Sequence, residues 1–121
     1  MKNLILDSNN INNLNILSKV DFKCLEKLSI RKNEIIDINI LSCVNFEKIK
    51  ELNLSKNKII DIRILDKVRF YKLEQLILNE NKISDIKILE KVNFPELKVL
   101  ELSNNISINI NFFYVYFLFF F

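Results

Sequence analysis

Apolar residues return to the same places along this chain every 24 residues. Numbering positions within such a unit, the first, fourth and sixth are filled by Leu25, Leu28 and Ile30, then Ile49, Leu52 and Leu54, then Leu73, Leu76 and Leu78, then Leu97, Leu100 and Leu102. Met1, Leu4 and Leu6 open the series. Positions four to six alternate apolar and variable residues, as a half-buried strand must. Position eleven holds Ile11, Ile35, Ile59 and Ile83, and the apolar set continues through positions fourteen, sixteen, seventeen and twenty. In the third unit that set is Ile62, Ile64, Leu65 and Val68, a spacing that lies on one side of a short helical turn. Position twenty-two is Phe22, Phe46, Phe70 and Phe94. The pattern thus predicts a strand, a turn, a short helical segment and a return, repeated about five times.

One unit cannot bury its own Leu and Ile face. Stacked units bury a continuous core, and each strand then pairs in parallel with the next. Asp37, Asp61 and Asp85 precede the helical set and are expected to be its N-caps, with Asn13 in the same place in the first unit. The ninth position is polar inside the apolar frame and never changes: Asn9, Asn33, Asn57, Asn81 and Asn105. A sharp turn after each strand leaves buried peptide groups in need of partners. An amide side chain both donates and accepts, so it can serve its own turn and its neighbour's. The expectation is an asparagine ladder with a structural role, in preference to a row of ligand contacts.

The consensus LxxLxLxxNxIxDIxxLxxVxFxx resembles the leucine-rich repeat family, and it covers residues 1–105. The isoleucine-rich segment with its "DI" is similar to the subclass typified by the Sds22 phosphatase regulator, whose units are usually shorter. The resemblance implies an α/β solenoid with a parallel β-sheet on a concave face and short helical or irregular segments on the convex side. It also implies binding of a protein partner by the outward side chains of the strand face. Those at position three include Lys27, Glu51 and Gln75; at position five, Ser29, Asn53, Ile77 and Glu101; at position seven, Arg31 and Asn79; and at position eight, Lys32, Lys56 and Glu80. Arg31, Lys32 and Lys56 then form a basic half, and Glu80 and Glu101 an acidic half. Such a bipolar face orients a charged partner, although a merely soluble surface has the same variability. The second position alternates Lys2, Glu26, Lys50, Glu74 and Lys98, which predicts ion pairs between neighbouring units.

Composition narrows the function further. The chain has no Gly and no His, so phosphate-cradling loops and the commonest general base and metal ligand are missing. Neither Cys24 nor Cys43 has a His to activate it, and their spacing fits no zinc site, so no catalytic residue, metal or cofactor is expected. A net charge of +3 without clustered cations argues against nucleic acid. Two unpaired cysteines, and asparagines that interrupt the N-terminus too early for a signal peptide, point to a cytoplasmic protein. The function expected is a non-catalytic interaction scaffold. Two alternatives stand beside it: a fragment of a longer repeat protein without an independent role, or a repeat protein held to a membrane by its end. The pattern fails after Asn105, and residues 112–121 are unbroken apolar. As a helix, ten residues span about 15 Å, too short to cross a bilayer. The degenerate tail, residues 106–121, is open to three readings: a membrane contact, an improvised cap over the last unit, or sequence never selected as protein. Its low-complexity content fits the last best.

Overall fold

A computed structural model describes residues 1–106. It contains one sheet of five parallel strands in sequential order, β1 (Asn3–Ile5), β2 (Lys27–Ser29), β3 (Glu51–Asn53), β4 (Gln75–Ile77) and β5 (Val99–Glu101). Every strand residue pairs with the one 24 positions later, as in Leu4 with Leu28, Leu28 with Leu52, and so on to Leu100. The period in the sequence is therefore the register of the sheet. The backbone ladder runs past the strand ends. The amides of positions six and eight donate to carbonyls of positions five and seven in the next unit, as from Leu54 N to Ile77 O at 2.9 Å and from Lys56 N to Asn79 O at 2.9 Å.

Between strands lie 3₁₀ turns at Asn15–Lys19, Asn39–Cys43, Arg63–Asp66 and Lys87–Glu90. The aspartates do not occupy the cap position expected for them. The caps are Leu14, Ile38, Ile62 and Ile86, and the acidic residue stands one place earlier. From there Asp37, Asp61 and Asp85 each accept the amide two residues on, from Asn39, Arg63 and Lys87 at 2.7, 2.9 and 3.0 Å. Asn13 accepts that of Asn15 in the same way. This is the local bond of an Asx-turn, and it still satisfies the first orphan amide of the helical turn.

The frame residues form one core. Leu25, Leu28, Ile30, Ile49, Leu52, Leu54, Leu73, Leu76 and Leu78 are completely buried. The four phenylalanines run through it as a row, with ring centroids 5.8, 5.6 and 6.5 Å apart from Phe22 to Phe94. Three of them also close a tight turn into the next strand: the carbonyls of Phe22, Phe70 and Phe94 accept the amide three residues later, as from Leu73 to Phe70 at 3.1 Å. The first unit is less covered: Leu4, Leu6 and Ile11 are only half-buried. The tail assigned to residues 106–121 lies, from residue 107 onward, outside the described residues.

Position eight carries an unforeseen backbone requirement. Ser8, Lys32, Lys56, Glu80 and Asn104 all have φ between 55° and 58°. This left-handed region costs an ordinary L-residue about 1–2 kcal/mol, and Asn is the non-glycine residue that tolerates it best. In a chain without glycine the turn is forced on Lys and Glu by the register on either side. Replacing Lys32 with Asn is expected to raise stability by about 0.5–1 kcal/mol, and with Val to lower it by at least about 1 kcal/mol. Urea unfolding of the two variants checks this. Equal midpoints would show that the turn does not hold its conformation.

Candidate functional site: the strand face

The side chains of positions three, five and seven stand on the outer face of the sheet, on neighbouring strands about 4.8 Å apart. Lys27, Glu51 and Gln75 form one row, and Ser29, Asn53, Ile77 and Glu101 a second. Arg31 and Asn79 extend the face beyond the strand ends. Lys32, Lys56 and Glu80 lie at the left-handed turn bordering the face, where their backbone no longer runs as strand.

Much of this face is already bonded to itself. Ser29 is only 4 % exposed, which withdraws it from the accessible surface expected of it. Its hydroxyl donates to the Asp7 carboxylate at 2.6 Å, and the same oxygen accepts the Arg31 amide at 2.9 Å. Asn53 accepts both the amide and the hydroxyl of Ser55, at 3.0 and 2.7 Å. Asn79 donates to Glu101 at 2.8 Å. Lys27 pairs with Glu51 at 3.3 Å and Lys56 with Glu80 at 3.9 Å. Both pairs are partly exposed, so each contributes little stability, on the order of 0–1 kcal/mol. Their effect on the surface is larger. The Lys56–Glu80 contact neutralises the border between the supposed basic and acidic halves. Arg31 and Lys32 remain as cations without a carboxylate partner among the described residues. Gln75 and Ile77 supply neutral surface beside the acidic Glu101.

The alternating charges of position two behave differently from expectation. Among the described residues only Lys98 and Glu74 come within ion-pair reach, at 4.0 Å. Pairing between units occurs elsewhere, for example between Lys58 and Glu34 at position ten. On the convex side, Arg63 donates to Asp61 at 2.7 Å through Nη2 and at 3.0 Å through Nε. These bonds, with the Arg63 amide, hold the Asp61 carboxyl below the usual carboxylate range, and the guanidinium pKa is raised in turn.

Under the face, the asparagines of position nine bond the units together. Asn33 Nδ2 donates to Ile30 O and Arg31 O in its own unit and to Leu6 O in the preceding one, while its Oδ1 accepts from Asn9 N and Ile11 N, both at 2.9 Å. Asn57 and Asn81 make the corresponding donations and each accepts one amide from the preceding unit, Ile35 N and Ile59 N. Asn33, Asn57 and Asn81 are buried, whereas Asn9 is exposed and Asn105 half-buried. Cys24 and Cys43 are free and exposed. Among the described residues no cluster of three His, Cys, Asp or Glu side chains is placed to hold a metal, and no helix is long and apolar enough to cross a membrane.

No protein-family model and no curated protein matches the chain. Solved structures do. The crystal structure of internalin C2 from Listeria monocytogenes is similar at a TM-score of 0.72 and 28% identity, over 87% of this chain and 43% of that one. Internalin F of the same organism is similar at a TM-score of 0.65 and 29% identity, over 79% of this chain and 26% of the other. This chain therefore spans less than half the length of either. Both internalins are leucine-rich repeat proteins. Repeat, register and structural neighbours agree, and the chain is a leucine-rich repeat solenoid.

Proposed function

We propose that this chain is a non-catalytic scaffold that binds a protein partner on its strand face. The observation that carries this reading is the contrast within the unit. Frame positions repeat and, from the second unit on, their strand residues are buried, while positions three, five and seven change from unit to unit along one hydrogen-bonded sheet. A rigid strand face presents side chains without the ordering cost a flexible loop would incur. The accessible residues for this role are Arg31, Gln75, Ile77 and Glu101, with the Lys27–Glu51 pair on the face and Lys32 and the Lys56–Glu80 pair along its border. The similarity to internalins supports an interaction role and names no partner. The subclass resemblance adds a phosphatase or a cytoskeletal protein as a partner class.

Affinity capture from the source cell's lysate tests the reading, using the full chain and a control carrying Arg31→Glu and Gln75→Arg. Neither side chain takes part in the hydrogen bonds or ion pairs of the face, so the control is expected to fold. A protein retained by the first and lost by the second, then rebinding in purified form, is the expected result. Equal retention by two folded baits would remove the strand face from the interaction.

A further inference from the structure

A second surface lies away from the strand face, where the turn after the second 3₁₀ segment meets the turn of the third unit. Here the chain forms a groove of about 330 Å³. Its floor is the buried pair Phe46 and Phe70, with Val44 half-buried above them. One wall is Lys67, Arg69 and Tyr71, and the other is Asn45 and Glu47.

The sequence explains why the groove forms at this step. The residues flanking each phenylalanine are Asp21 and Lys23, Asn45 and Glu47, Arg69 and Tyr71, and Asn93 and Pro95. Arg69 and Tyr71 are the bulkiest of these pairs. They line the groove from the third unit, and the smaller Asn45 with Glu47 lines it from the second. The stacking of units thus leaves a step, with an aromatic floor beneath whatever fits between the walls.

We propose that this groove is a docking site for an extended acidic peptide segment of a partner protein, one that places an apolar side chain between two carboxylates. The apolar side chain rests on Val44 and against the Tyr71 ring, which is 52% exposed. The carboxylates face Lys67 and Arg69, neither of which has an ion-pair partner among the described residues. Arg on an open rim offers a planar fork that matches a carboxylate bidentately. Glu47 closes the opposite wall, bonded by the Asn45 amide at 3.5 Å, and keeps the acidic groups of the ligand on the cationic side. The groove is open along its rim, with Ser42, Asn45, Glu47 and Tyr71 all exposed. A small-molecule site encloses most of its ligand, so this shape suits a segment that continues beyond the groove at both ends.

The test is a titration of the ¹⁵N-labelled full chain, followed by amide chemical shifts. The probe is a blocked tripeptide of phenylalanine flanked by two glutamates, and its control has two lysines in their place. The expected result is a saturable shift of Val44, Asn45 and the amides from Lys67 to Tyr71 with the acidic peptide alone. Arg69→Glu should weaken it at least about tenfold and Arg69→Gln by less, in line with the sign of the charge. Arg69 is exposed, and the spectrum itself reports whether each variant keeps its fold. Shifts confined to the strand face, an equal response to the lysine peptide, no saturable shift, or an affinity indifferent to Arg69→Glu would each overturn the proposal.

Discussion

Asn57→Leu is expected to cost about 3–4 kcal/mol of unfolding free energy, several times the loss from Asn9→Leu. Asn57 Nδ2 donates to Ile30 O, Leu54 O and Ser55 O at 2.9, 3.0 and 3.2 Å, and its Oδ1 accepts Ile35 N at 3.0 Å. Leucine has a similar size and suits the surrounding core, so the change isolates the hydrogen bonds from the packing. It leaves the buried Ile35 amide without a partner, at about 1–3 kcal/mol, and takes one of two donors from each of Ile30 O, Leu54 O and Ser55 O, which keep Asn33 Nδ2, Asn81 Nδ2 and Lys32 N. Asn9 is exposed, and among the described residues its side chain makes only the two donations within its own turn, to Leu6 O and Asp7 O, where water can replace it. Its loss should stay below about 1 kcal/mol. Asn57→Asp sharpens the comparison. It keeps the acceptor and the shape but turns the donor into a second acceptor facing carbonyls, and it should cost at least as much as leucine. Urea unfolding monitored by circular dichroism gives all three values. Equal losses at Asn9 and Asn57 would mean that the bonds across units do not set the stability of the stack.

What the sequence made legible follows from periodicity. A fixed interval carries the register directly, because every strand residue must lie beside its counterpart one unit later. Leu28, Leu52 and Leu76 could be placed in one buried row for that reason. The aspartate before each helical turn was legible as a partner for a free amide, but its place was one residue off. A 3₁₀ turn starting at Arg63 and one starting at Ile62 have the same sequence before them, and only the backbone distinguishes them. The left-handed turn at position eight was hidden because Lys and Glu have no preference for it. Its sequence traces are slight: Asn104 in one unit, and no β-branched residue at that position in any. The bond from Ser29 to Asp7 joins position five of β2 to position seven just beyond the end of β1. It runs along the diagonal of the sheet, whereas the repeat pattern relates equal positions only. The groove beside Phe46 depends on which side chains flank the phenylalanines of two neighbouring turns, and those positions are not part of the repeat.

The aromatic row carries the other large effect. Phe70→Ala is expected to lower stability by about 3–5 kcal/mol, since a fully packed ring is replaced by a cavity. Phe70 is 2% exposed and lies between Phe46, with centroids 5.6 Å apart, and Phe94, with centroids 6.5 Å apart. Phe22 has one such neighbour among the described residues, Phe46 at 5.8 Å, and belongs to the less covered first unit. In a solenoid each unit touches only those beside it, so the position of a defect matters as well as its size. A defect in the first unit frays one end and leaves the remaining units stacked. A defect in the third removes contacts to both sides and divides the stack into two short pieces, each of which then unfolds at a midpoint of its own. The prediction therefore concerns the shape of the transition too. Phe70→Ala should flatten the urea dependence and separate the circular dichroism curve from the tyrosine fluorescence curve, because the halves no longer unfold together. Phe22→Ala should shift the midpoint less and keep the two curves coincident. If Phe70→Ala shifts the midpoint with an unchanged slope and coincident curves, cooperativity runs through the asparagines and the strand ladder alone, and the aromatic row only fills space.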